Sequence, residues 1–113
     1  MLTCGEHKSQ TEHPLKQVYL TLDDAQRLAN KVCAHEKFVR VNIVYSKRQT
    51  KRLMASFQAY GRVITLYPKN DGNSVHVLLH ELAHNVSVRH DKLFKSTHLQ
   101  FIKKYGAAYM PKV

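Results

Sequence analysis

The stretch HELAHNVSVRHD, residues 80–91, places three histidines and two carboxylates within twelve positions. On an α-helix, side chains four residues apart share a face, so His80 and His84 turn two imidazoles toward one point. Two neutral ring nitrogens so placed suit a single zinc ion. Glu81 stands beside them, positioned to move a proton rather than to bind the metal. This is the HExxH pattern: zinc acidifies and polarises a bound water, and the glutamate takes its proton as it attacks a carbonyl. With this chain's own His and Glu frequencies, chance yields the pattern with a probability of roughly two per cent, and a third His so close behind lowers that by roughly another factor of ten. The stretch therefore reads as a zinc site, with Glu81 as the general base.

Catalytic zinc usually takes three protein ligands and keeps one position for water. A distant downstream glutamate is excluded as the third, because Glu81 is the last glutamate in the chain and Asp91 the only later carboxylate. His90 and His98 remain. His90 follows the helix by a short loop that can fold its ring back, which favours it; His98 is the second choice. Asp91 can support a ligand imidazole or cap the next helix. His76 lies one turn before His80 on the same stripe and is expected to line the cleft or stand exposed rather than to bind zinc. Tyr105, Tyr109 and His98 are equal candidates for stabilising an oxyanion, and Met110 lies in the tail just beyond them. Cys4 carries a thiol, a strong zinc ligand, and could reach and silence the metal.

The surrounding elements must hold these groups still. In TLDDAQRLANKVCAHEKF, Leu22, Ala25, Leu28, Ala29, Val32 and Cys33 recur at helical spacing. Thr21 can cap this helix, with Asp24 three residues on. The period then drops to two in FVRVNIVYS (38–46), RLMASFQAY (52–60) and RVITLY (62–67), which read as strands. Gly61 supplies the positive φ for a tight hairpin turn between the last two. After the turn-rich PKNDGN, Asn73 or Ser74 can cap SVHVLLHELAHNV, whose Val75, Leu78, Leu79, Leu82 and Val86 give it a buried side. A last helix is expected from about Asp91 to Tyr105, with Leu93, Phe94, Leu99, Phe101 and Ile102 available for packing. The expected fold is α+β: an N-terminal helix, a three-stranded and mainly antiparallel sheet, the active-site helix and a C-terminal helix. Residues 1–17 are expected as a flexible arm and 18–113 as the domain.

A chain of 113 residues allows one compact domain. No stretch approaches the roughly 20 apolar residues a membrane span needs. The polar N-terminus has no apolar signal region, and the two cysteines, Cys4 and Cys33, are too few for a disulfide-stapled secreted domain. An intracellular monomer, cytoplasmic or nuclear, is expected. Eighteen Lys and Arg against eight Asp and Glu leave a net charge of +10 and a pI near 9.8. A field of that sign attracts polyanions, above all nucleic acid. The run SKRQTKR, with Lys47, Arg48, Lys51 and Arg52, is the candidate phosphate-contacting loop.

The wording HELAHN, the third His, then His90-Asp91 and Phe94, resembles the Wss-like metalloproteases (the WLM family), relatives of the SprT/Spartan proteases. The spacing of His80, Glu81, His84 and His90 is also similar to the extended metzincin pattern HExxHxxGxxH. The likeness spans residues 75–94. It implies a zincin-like domain with one catalytic zinc, His80, His84 and His90 as ligands and Glu81 as base. It also implies DNA as the activating partner, since these are small intracellular zinc peptidases that degrade proteins crosslinked to DNA. Two departures stand out: the metzincin glycine is Ser87, and the glycine-proline before the third His is Val88-Arg89. A left-handed residue in this loop would therefore fall to Asn85, which tolerates that conformation best.

The reading that follows is a zinc endopeptidase acting on DNA-bound or DNA-crosslinked proteins. The alternatives are a basic DNA-binding module with a structural or inactive zinc site, and a small peptidase with no nucleic-acid role. Glu81 argues against the first alternative, because a structural metal has no use for a water-activating carboxylate.

Overall fold

In a computed structural model of the chain, residues 2–5, 14–48, 53–58 and 60–110 are described. Four strands, β1 (Leu2–Gly5), β2 (Asn42–Tyr45), β3 (Leu53–Gln58) and β4 (Val63–Leu66), form one sheet in the order β1-β3-β4-β2. The three expected strands are all present, shorter at their ends than the alternating pattern suggested. Pairing is antiparallel for β1 with β3 and for β3 with β4, and parallel for β2 with β4. Within the segment assigned to a flexible arm, residues 2–5 extend the sheet. Pro14–Gln17 forms a 3-10 turn whose Leu15 is buried.

The sheet has one apolar face, built by Ile43, Ala55, Phe57, Ile64 and Leu66. Helices α1 (Leu22–Glu36) and α2 (Val75–Ala83) cover it, α1 against β2, α2 against β3, and the two against each other. Helix α1 begins as expected: the Thr21 hydroxyl accepts from the Asp24 amide, and the stripe Ala25, Leu28, Ala29, Val32 and Cys33 is buried. A polar residue docks it. The Gln26 side chain donates to the Val41 carbonyl at 2.9 Å and accepts from the Ile43 amide at 2.8 Å, so it pairs with β2 like a short piece of strand.

The turn into β4 differs from expectation. Among the described residues no glycine has a positive φ; Arg62 takes the left-handed conformation instead, with φ 53°. Its guanidinium holds that conformation from outside the turn. Nη2 donates to the Val39 carbonyl and to Asn85 Oδ1, each at 2.6 Å, with the charge lying over the Phe57 ring.

Helix α2 is apolar almost all round, with Val75, Leu78, Leu79, Leu82 and Ala83 fully buried. Ser74 caps it through the Val77 amide, and the preceding chain is clasped by Val75 donating to the Val18 carbonyl at 2.9 Å. Helix α3 (Lys92–Tyr105) lies across α2 and starts from Asp91, whose carboxylate accepts from the Phe94 amide at 2.9 Å. Phe94, Phe101 and Tyr105 face inward. Leu93 and Leu99, expected in the core, are 55% and 53% exposed, because they sit on the far side of α3 from α2. Val86 lies beyond the end of α2 and is also exposed. Among the described residues no helix is long and apolar enough to cross a membrane.

Candidate metal centre

Helix α2 delivers the first half of the site. His80 and Glu81 are in its last turn and His84 is its C-cap residue, all three buried. The helix tightens as it ends: the amides of His84, Asn85 and Val86 donate to the carbonyls three residues back, at 3.0 to 3.1 Å. Asn85 completes the end by donating its side-chain amide to the Leu82 carbonyl at 2.8 Å while receiving Arg62. No residue between His84 and Asp91 has a positive φ. The loop thus returns without the glycine of the related patterns, and without the left-handed Asn85 expected in its place.

Ser87 organises the remainder of that loop. Its hydroxyl donates to Asp91 Oδ2 at 3.0 Å and lies 3.3 Å from the Arg89 carbonyl, closing residues 87–91 into a tight bend. Asp91 is therefore braced twice, by Ser87 and by the α3 amide it caps. Those hydrogen bonds, that from Phe94 first, hold its carboxyl below the ordinary aspartate range. The bend carries His90 back over α2.

His80, His84 and His90 each bring one ligand atom to within 4.8 Å of the others, a group that could hold a metal ion. The Nε2 atoms of His80 and His90 are 3.1 Å apart. Two zinc–nitrogen bonds of about 2.0–2.1 Å at a tetrahedral angle span roughly 3.3 Å, so this spacing is close to what zinc asks of neighbouring ligands. His84 Nδ1 is 3.0 Å from the Ser87 carbonyl oxygen. A carbonyl only accepts, so Nδ1 carries the proton, and Nε2 presents the lone pair a metal needs. Burial pushes the His84 pKa down, outweighing the Ser87 bond that raises it, and so favours the neutral, ligating form.

Phe94 is the floor of this group. Its ring stacks on His84 at 4.5 Å and meets His80 at 4.8 Å and His90 at 4.9 Å edge-on. Three imidazoles packed on one buried ring have few rotamers open to them. Spacing marks Phe94 as core; its place under the site comes from the bend before α3, which carries His90 back over it.

The other candidates separate clearly. His98 lies beside His80, with ring centroids 5.2 Å apart, and beside His76 at 4.8 Å. Tyr105 instead donates its hydroxyl to Glu36, which also accepts from Lys104 Nζ at 2.8 Å. Tyr109 packs half-buried against the core and Met110 follows it. Of the three oxyanion candidates, only His98 adjoins the histidine group. Cys4 falls on β1, opposite Ala55. Lys47 and Arg48 are exposed just after β2; Lys51 and Arg52 lie outside the described residues.

No protein-family model and no curated protein matches the chain. Among solved structures, the crystal structure of Wss1 from Saccharomyces cerevisiae is similar. It is 21% identical, with a TM-score of 0.62 over 78% of this chain and 77% of that one. The likeness to the Wss-like metalloproteases seen in the short run 75–94 therefore extends to the fold that carries it: this chain folds as Wss1 does.

Proposed function

We propose that the chain is a zinc-dependent endopeptidase that cleaves proteins bound or crosslinked to DNA. The observation that carries this reading is the convergence of His80, His84 and His90 with Glu81 buried on the same turn of α2. The donor set of three imidazoles, one with its tautomer set by the Ser87 carbonyl, fits zinc. When bound, zinc supplies a Lewis acid that acidifies water and polarises a carbonyl. His80 and His84 hold the metal from a rigid helix and His90 from the braced loop. Glu81 takes the proton of the attacking water and delivers it to the leaving amine. Phe94 keeps water off the inner side of the imidazoles.

DNA enters through charge. Lys47 and Arg48, with Lys51 and Arg52 of the same sequence run, are proposed to contact phosphates, and the net charge of +10 draws the chain to nucleic acid. A cytoplasmic or nuclear monomer fits this role.

The test compares wild type with Glu81→Gln for self-cleavage and casein cleavage, with and without single-stranded DNA. Zinc-dependent cleavage is expected from the wild type, falling about 10²–10⁴-fold in the variant, with zinc content unchanged. Absence of zinc-dependent cleavage by the wild type under every condition overturns the peptidase. Cleavage indifferent to DNA, with no DNA binding, removes the nucleic-acid part.

A further inference from the structure

The histidine group does not end at the three residues that close on one another. On α2, His76, His80 and His84 follow at intervals of four; on the facing side, His90, Phe94 and His98 do the same in the opposite direction. The two rows mesh as a ladder of six rings. His84 meets His90 and Phe94, His80 meets His90, Phe94 and His98, and His76 meets His98. Phe94, the one hydrocarbon ring, is buried, where packing alone is required. His76 and His98 are only half-buried, at the end of the ladder away from His84.

The spacing at that end is close to the spacing in the triad. Ring centroids are 4.9 to 5.2 Å apart among His80, His84 and His90, and 4.8 Å apart between His76 and His98. Their planes are inclined by 72°, much like the 75° between His80 and His84. The rings come from two different helices, each fixed by its own cap and core, so their approach is set by the fold. Packing alone asks for no nitrogen in either ring, and the His98 Nε2 itself lies out of solvent. Two together offer what a late first-row divalent cation takes: neutral nitrogen donors, with water completing the shell.

We propose that His76 and His98 form a second, weaker binding position for such a cation, zinc being the probe, one helical turn from the triad. With two protein ligands instead of three, it fills after the triad and empties first. It stands independently of the peptidase reading, since it requires only that one nitrogen of each ring reach a common ion.

The experiment is zinc binding to the full chain by equilibrium dialysis with metal analysis, on wild type, His76→Gln, His98→Gln, His98→Asp and His84→Ala. Circular dichroism melting checks that each variant folds. Wild type is expected to take up one tight and one weak equivalent. Each Gln variant loses the weak one and keeps the tight one, and His98→Asp, which restores a ligand atom, recovers it. His84→Ala loses the tight equivalent and retains the weak one.

Uptake of the tight equivalent alone by wild type overturns the proposal. So does a weak equivalent that persists in both Gln variants, which places it elsewhere in the chain. Loss of the tight equivalent in His98→Gln also overturns it, by making His98 a ligand of the first ion. If one Gln variant fails to fold, the other, with His98→Asp, decides by the same readings. Failure of the peptidase reading shows separately, as absence of the tight equivalent in wild type.

Discussion

Each histidine of the triad is held by a different device, and each predicts a different sensitivity. His80 is fixed by its place inside α2 and by rings on several sides. His84 is fixed by its bond to the Ser87 carbonyl. His90 is exposed and depends on the loop that carries it. On the proposed reading, His90→Ala removes a ligand outright. Zinc affinity is expected to fall by more than the roughly 100-fold that loss of an outer hydrogen-bond partner causes, while the fold persists without metal. Competition with a chromophoric chelator measures this. Retention of wild-type affinity would make His90 a bystander and return His98 to the ligand set. Phe94 behaves differently, because it is core as well as floor. Phe94→Ala is expected to cost about 3–5 kcal/mol of stability, read from chemical denaturation, before any effect on metal is considered.

At the scale of elements, the unusual feature is how the chain turns from α2 to α3. The related patterns use glycine here; this sequence has NVSVR. The turn is achieved by tightening the last amides of α2, by the Ser87–Asp91 bond and by the Arg62–Asn85 clamp. The clamp joins the β3–β4 turn to the end of α2, so the sheet helps position a loop far from it in sequence. Arg62→Ala is expected to destabilise the protein by about 1–3 kcal/mol, since it strips two acceptors of a charged donor. It is also expected to weaken zinc binding by roughly tenfold through the loosened loop. Lysine keeps the charge but not the planar fork, so Arg62→Lys restores only part of either effect. A thermal melt of the metal-free protein beside a zinc titration separates the two; unchanged zinc affinity in the alanine variant would reduce the clamp to a prop for the hairpin.

Across the whole molecule, α3 is tied back to α1 by one carboxylate. Glu36 receives Lys104 and Tyr105 together, and these hydrogen bonds, Lys104 first, hold its pKa below the ordinary glutamate range. A carboxyl with a lowered folded-state pKa contributes stability above its unfolded value and loses it as pH falls through the folded one. The folded protein is therefore expected to weaken in acid, and Glu36→Gln to flatten that part of the curve while lowering stability at neutral pH. Melting temperature against pH for both proteins checks this; parallel curves would show that Glu36 carries none of the acid sensitivity. Since α3 presents Phe94 and His98 to α2, the tie also steadies the histidine group from its far end.

Much was legible from the order of residues because it depends on short-range geometry. Helix periodicity, the caps at Thr21, Ser74 and Asp91, the alternating strands and the four-residue spacing of His80 and His84 are local relations. They survive in almost any compact fold. The inward and outward sides of α3 were not legible, because Leu93 and Leu99 are as apolar as their buried neighbours and only the position of α2 decides which face it covers. Nor was the parallel pairing of β2 with β4, or β1 at the sheet edge, since a strand's partner is chosen by the chain as a whole. The return of His90 belongs to the same class. Spacing made it a candidate; a guanidinium from a distant turn, a serine hydroxyl and the ring of Phe94 bring it to the other two. Sequence by itself determined which groups could do the chemistry, because residue type and local spacing set a donor set. Tertiary structure alone decided that they meet, because convergence depends on contacts between segments the chain separates.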